Sequence, residues 1–267
     1  MNTDIFLKMG KQHKVCEDYI IQGNDPVPFI ILADGCSSSK NTEMGARILC
    51  YLAKQYIRYH ANVSNFHYDI MGSWIIHNAE MTARQLGLTR ECLDATLIIA
   101  YAFNNKTHVF VYGDGSIILE SPNKDLIIYQ VKFSNNAPYY LSYLLDPDRQ
   151  DIYHNMKNDK EIIIYNSKEQ KTTSDTLAYD AKFNITISFT DFLKILICSD
   201  GIDSFILDNP SKNISFPAKE IVPGFLSFKT TKGEFLKRRL QKEIQTLEKN
   251  SMIHYDDLSV GAFLLEE

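Results

Sequence analysis

Apolar runs of strand length that stop at acidic residues constrain this chain more than any other feature. Phe29-Ile30-Ile31-Leu32-Ala33 stops at Asp34-Gly35, and the run ending at Cys198 stops at Ser199-Asp200-Gly201. His108–Tyr112 stops at Gly113-Asp114-Gly115, while Glu17-Asp18 and Asp256-Asp257 each open a run. A continuous apolar run this short reads as a strand buried on both faces. An acid at its end stands where core meets loop. A carboxylate there is partly desolvated, and several together repel unless cations bind. Acids converging on one rim of a sheet core make an all-oxygen site for hard divalent cations, a kind of site used for phosphoryl chemistry. Each acid alone has a plainer reading, because Asp-Gly also suits turns.

The remaining pattern predicts the elements around these runs. Residues 4–8 and 18–22 read as strands. A helix is predicted from Asn41 or Thr42, with Met44, Ile48, Tyr51, Leu52 and Tyr56 along its face. A second spans about 67–87, with Ile70, Trp74, Ile75, Ala79 and Ala83 on one side. Ala95–Phe103 and His108–Tyr112 read as a hairpin, continued as a meander by 116–119 and 126–133. Residues 134–160 are polar, and 161–181 hold Ile162-Ile163-Ile164 and then a polar stretch. Asn184–Ser188 and Phe192–Cys198 read as a strand pair, 233–249 as an amphipathic helix, and Leu258–Leu265 as a last strand. Runs of each type predict an α+β fold, two antiparallel sheets with helices outside, in one domain spanning 1–267.

Composition narrows the partners. A formal net charge of −5 and no basic stripe argue against nucleic acid; Lys237-Arg238-Arg239 reads as a solvated helix face. No apolar run approaches the roughly 20 residues needed to span a bilayer. Five cysteines without CxxC or zinc-like spacing, behind an N-terminus that does not resemble a secretory signal, point to a reducing interior, the cytoplasm.

Six segments in order carry a resemblance: Gly10-Lys11-Gln12-His13 through Glu17-Asp18, Leu32-Ala33-Asp34-Gly35, Asp94-Ala95-Thr96-Leu97, Tyr112-Gly113-Asp114-Gly115, Cys198-Ser199-Asp200-Gly201, and Asp256-Asp257-Leu258-Ser259-Val260. Over nearly its whole length the chain resembles the PP2C (PPM) family of metal-dependent protein serine/threonine phosphatases, in its short bacterial form. The resemblance implies two Mn²⁺ or Mg²⁺ ions between the sheet edges. Asp34 would bridge both, the Gly35 carbonyl would bind one, and Asp200 and Asp256 would complete the other. Asp18 or Glu17 would ligate or hold metal-bound waters, and Asp114 with Asp200 would share a third ion. A water activated between two cations would attack phosphorus in line with the leaving serine or threonine oxygen. The substrate implied is a phosphorylated protein, made by an opposing serine/threonine kinase.

The chain also departs from the family pattern. Where an Arg commonly grips the phosphate stands His13, beside Lys11 and Lys14; His13, with Lys14, is the expected phosphate-side group. Cys36 replaces the His that often follows Asp-Gly, which leaves the general acid open; as a nucleophile Cys36 lacks the Arg six residues on, where Thr42 stands. Ser204, with Asp203 one step earlier, replaces an Asp and weakens the third-ion expectation. Asp257 replaces Asn, in a supporting or merely structural place. Segment 134–181 falls where relatives carry a variable flap. Two other readings compete: a catalytically silent phosphoprotein-binding module, and a metallohydrolase of small phosphoesters, for which a Gly-Asp-x-His pattern is missing.

Overall fold

The computed structural model describes residues 1–60, 66–208 and 214–265. In chain order the strands are β1 (Asn2–Lys8), β2 (Tyr19–Gly23), β3 (Phe29–Ala33), β4 (Leu97–Phe103), β5 (Lys106–Tyr112), β6 (Gly115–Glu120), β7 (Leu126–Phe133), β8 (Lys160–Asn166), β9 (Lys171–Leu177), β10 (Phe183–Ser188), β11 (Lys194–Cys198), β12 (Phe205–Leu207), β13 (Met252–His254) and β14 (Leu258–Leu264). The helices are α1 (Thr42–His60), α2 (Tyr68–Gln85), α3 (Pro147–Asn155), α4 (Ala218–Leu226) and α5 (Phe235–Lys249). A seven-stranded sheet runs β1-β14-β11-β6-β7-β8-β9, and a five-stranded sheet runs β10-β5-β4-β3-β2. Every pair within them is antiparallel. This is the α+β sandwich expected.

The burial of β3 explains its unbroken apolarity. Ile30 and Leu32 point into the layer between the two sheets, against residues such as Ile117, Ile197 and Phe263. Phe29, Ile31 and Ala33 point the other way, into a layer shared with α1 and α2. β11 divides likewise: Ile195 and Ile197 join the inter-sheet core, and Leu196 and Cys198 pack under α4 and α5. Side chains alternate across a strand, so a strand covered on both faces must be apolar at every position. Truncating fully buried Phe263 would cost ~3–5 kcal/mol.

Four expectations need correction. The meander breaks after β5: the chain leaves the five-stranded sheet at Gly113-Asp114, and β6 starts afresh in the other sheet. Gly113 at φ +91° and Gly115 at φ +132° supply the backbone for that crossing. Second, 184–188 and 192–198 do not pair. β10 joins β5, and β11 lies between β6 and β14. Third, segment 134–181, expected only as polar stretches around Ile162-Ile163-Ile164, is largely regular structure. It carries α3 and then the β8–β9 hairpin, which extends the seven-stranded sheet; β9 is exposed at every position, a polar edge strand. Fourth, the helix faces are as expected at Ile48, Leu52, Tyr56, Ile75, Ala79 and Ala83, which are buried, but Met44, Tyr51 and Ile70 are exposed, and Ala46, Leu49 and Ala53 complete the buried stripe of α1.

Candidate active site

Strand register brings the acids together. In the five-stranded sheet Tyr19 pairs with Ala33, Leu32 with Ile98, and Leu97 with Tyr112. Asp18, Asp34 and Asp114 therefore lie at the same end of β2, β3 and β5. In the seven-stranded sheet Cys198 pairs with both Ser116 and Val260, which puts Asp200, Asp256 and the Asp114 crossing at one end there too. Asp114 links the two rims.

Two adjoining cavities of about 210 and 200 Å³ open at this place. Asp114, Asn136, Asp200 and Asp256 line both. The first also meets His13, Asp34, Gly35, Cys36, Thr96 and Tyr140. The second meets Lys132, Asp203 and Ser204.

The Asp34 loop is pinned by the segment before β4. The Thr96 hydroxyl accepts from the Asp34 N–H at 3.3 Å, the Thr96 N–H donates to the Asp34 carbonyl at 2.8 Å, and the Cys36 N–H donates to the Asp94 carbonyl at 2.8 Å. Asp18 lies fully buried behind this rim, where the Ser199 hydroxyl donates to its Oδ2 at 2.9 Å. Burial pushes Asp18 up to about 7, against the opposing pull of the Ser259 and Ser199 hydroxyls. Burial, then the charges of Asp18, Asp200 and Asp114, hold Asp34 well above the usual carboxylate range. Asp114 and Asp200 are raised for the same first reason.

His13 sits among three carboxylates. Its Nε2 is 3.0 Å from Asp256, and its Nδ1 is 3.1 Å from Asp257 and 3.6 Å from Glu17. Burial alone would lower its pKa, but Asp257, Asp256 and Glu17 outweigh it and raise it above 6.5. Glu17 accepts from the Thr42 hydroxyl at 3.1 Å and lines neither cavity. Lys14 is exposed on the same loop and likewise lines neither. Asp257 is a buried staple: it accepts from the Gly10 N–H at 2.7 Å and the Glu17 N–H at 2.6 Å, tying the N-terminal loop to the start of β14.

Several residues of the site escaped the sequence reading. Lys132 contacts Asp203 at 2.7 Å, and Gln130 donates to the same oxygen at 2.6 Å. The signal was present in β7: the face holding Leu126 and Ile128 turns polar at Gln130 and Lys132. Tyr140 lines the first cavity from segment 134–146; Tyr139-Tyr140-Leu141 reads from the sequence as an anchor of that polar segment, not as part of the site.

Among the described residues no three His, Cys, Asp or Glu side chains close into a metal cage by themselves. The donor set nevertheless suits hard divalent cations. It is all oxygen, and two of its atoms, Asp18 Oδ1 and Asp200 Oδ1, are buried without a hydrogen-bond partner, a costly state that an ion would relieve.

Solved structures share the fold. Serine/threonine phosphatase Stp1 from Staphylococcus aureus is similar over 100% of this chain and 96% of its own, with TM-score 0.56 and 13% identity. The serine/threonine phosphatase PstP/Ppp of Mycobacterium tuberculosis covers 99% and 98%, with TM-score 0.53 and 13% identity. PppA, a regulatory component of the type VI secretion system in Pseudomonas aeruginosa, covers 98% and 97%, with TM-score 0.54 and 12% identity. A comparison with curated protein sequences returns no match. The two-sheet sandwich flanked by helices is the fold that these structures share with this chain. The family model for protein phosphatase 2C matches residues 10–247, and the chain belongs to that family.

Proposed function

We propose that the chain hydrolyses phosphoserine and phosphothreonine in proteins, with two Mn²⁺ or Mg²⁺ ions held by Asp34, the Gly35 carbonyl, Asp200 and Asp256, and with Asp18 behind them. One observation carries this reading: the registers of two separate sheets deliver Asp34, Asp114, Asp200 and Asp256 to one cavity. Such ions supply an acidified water and charge for the phosphoryl oxygens. The chain's own residues do the rest. His13, whose three neighbouring carboxylates favour its cationic form, lines the cleft and would meet the phosphate. Tyr140 keeps its phenolic proton because burial, Cys36, Asp114 and Asp34 all disfavour phenolate, so it offers a neutral O–H from the cleft wall. The second cavity already holds the Lys132 ammonium, which favours two ions over three. Five free thiols suit a reducing compartment such as the cytoplasm, where a serine/threonine kinase would make the substrate.

The test is turnover of p-nitrophenyl phosphate and of a phosphothreonine peptide with Mn²⁺, with EDTA, and in Asp34→Asn. Metal-dependent hydrolysis should fall by about two to three orders of magnitude in the variant, the scale of losing one charge-stabilising group. Turnover that ignores EDTA would refute the reading.

A further inference from the structure

A cavity of about 560 Å³ lies beside the cleft, and Tyr140 is the wall between them, since it lines both. Gly113, the neighbour of Asp114, also lines this cavity. α2 contributes Gly72 and Ser73 to its lining, a roof segment contributes Leu141, Leu144 and Gln150, and Lys160, Tyr179 and the charged Asp69, Asp180 and Lys182 complete it. Its volume is that of a small-ligand site.

The walls are aromatic and held in place. Five tyrosines line the cavity: Tyr68, Tyr112, Tyr139, Tyr140 and Tyr179. The Tyr68 hydroxyl donates to the Val111 carbonyl and the Tyr112 hydroxyl to the Tyr68 carbonyl, each at 2.7 Å. Tyr139 packs edge-on against Tyr179, with ring centres 5.0 Å apart. The roof is fixed from below, because Ser142 and Arg149 both bond to buried Asp94. The space is therefore preformed. Lys160 is 3% exposed, and among the described residues its ammonium has one hydrogen-bond acceptor, the Ala181 carbonyl. The Phe133 ring lies 5.5 Å from the ammonium and Asp180 is its charge partner, but the ammonium has no second hydrogen-bond acceptor among the described residues, so N–H donors are left for a ligand oxygen.

We propose that this cavity reads the substrate polypeptide beside the phosphorylated residue, and that it takes an aromatic side chain whose backbone carbonyl accepts from Lys160. The proposal rests on the phosphoprotein reading above. Rings of tyrosine present faces and edges to a further ring. A wall one side chain thick places the aromatic residue roughly two to four positions from the phosphate, at about 3.3 Å per extended residue. The substrate class is thus a phosphoprotein with an aromatic residue close to the phosphoserine or phosphothreonine.

The experiment uses phosphothreonine peptides that carry Phe, Gly or Glu in turn at each nearby flanking position, with p-nitrophenyl phosphate as a substrate without flanks. Phe at one position should raise kcat/KM about fivefold, mainly through KM, on the scale of an aromatic contact. Ser73→Trp, at the exposed rim on α2, should abolish that preference and leave p-nitrophenyl phosphate turnover unchanged. Leu144→Trp plugs the roof side and serves if the first variant does not fold. Equal rates for all peptides, a preference for Glu over Phe, or a Phe preference that survives a folded plugged variant would overturn the proposal. Fluorescence anisotropy of the labelled peptides reads binding without turnover. If the chain hydrolyses nothing, tighter binding of the Phe peptide that Ser73→Trp removes still supports the cavity's role, and its absence overturns it. Failure of the phosphatase reading and failure of this one are thereby separated.

Discussion

Arg149 grips Asp94 with both ends of its guanidinium: Nη1 is 3.0 Å from Oδ1 and Nη2 is 2.9 Å from Oδ2. Asp94 also accepts from the Ser142 hydroxyl at 2.6 Å and from the Ser39 hydroxyl at 2.8 Å. Four hydrogen bonds on one buried carboxylate therefore join the segment over the cleft to the loop that follows Asp34-Gly35. The Arg149 guanidinium further stacks over Tyr143, 4.5 Å from the ring centre.

Arg149→Leu should cost about 2–4 kcal/mol in urea unfolding, somewhat below the loss for a wholly buried pair because Arg149 is partly exposed. Arg149→Lys keeps the charge but not the fork, and should fall between wild type and Arg149→Leu. Limited proteolysis should cut both variants faster within 134–158. Equal midpoints for all three chains would show that the pair does not hold this segment.

Without metal, stability should fall as pH rises. Asp18 titrates at about 7 in the folded chain, against about 3.9 for a free side chain. The folded state holds this proton more tightly than the unfolded one. Its contribution is therefore full below about pH 4 and is lost as pH rises through about 7. Asp34, Asp114 and Asp200 shift in the same direction. In EDTA the thermal midpoint should drop by several degrees between pH 5 and pH 8, and Mn²⁺ should flatten the trend. A metal-free chain that is more stable at pH 8 would contradict this.

His13 works in the same direction on a different group. Its folded pKa is raised, so its stabilisation is complete below the unfolded value near 6.5 and disappears as pH passes the folded pKa. His13→Gln in EDTA should lower the melting temperature by a few degrees at pH 6 and hardly at all at pH 9. A pH-independent difference would mean that the ring only fills space.

Lys132 should limit ion uptake. Its ammonium already satisfies Asp203 beside Asp114 and Asp200. Calorimetric titration with Mn²⁺ should find two ions on the wild-type chain and a third, weaker one on Lys132→Met, with a Kd roughly in the millimolar range. Three ions on the wild type would place the ammonium outside the third site.

Some of this protein was legible without coordinates. β3 and β14 were readable because a strand covered on both faces must be apolar throughout, which is a local property. The order of Asp34, Asp114, Asp200 and Asp256 was readable for the same reason: each acid adjoins or nearly adjoins such a run, whereas Asp18 immediately precedes the half-buried β2. α3 carried a local signal that passed as mere polarity. Asp146 caps it by accepting from the Arg149 N–H at 3.2 Å, and Pro147 follows at the first helical position. α4 contains Pro223, which argues for a break. It forms because Ile221, Val222, Phe225 and Leu226 are buried against the seven-stranded sheet.

The amino-acid order by itself determined the apolar strands, which acids adjoin them, and that both faces of the central strands are covered, but not the polar strand β9 or the short β12 and β13. Only the tertiary structure decided which sheet each strand joins, that His13 lies among Glu17, Asp256 and Asp257, and that Arg149 reaches Asp94. Hydrophobic periodicity depends on near neighbours along the chain. Strand partners and ion pairs between residues 55 or 244 positions apart depend on the register and on the crossings between sheets, which no local pattern encodes.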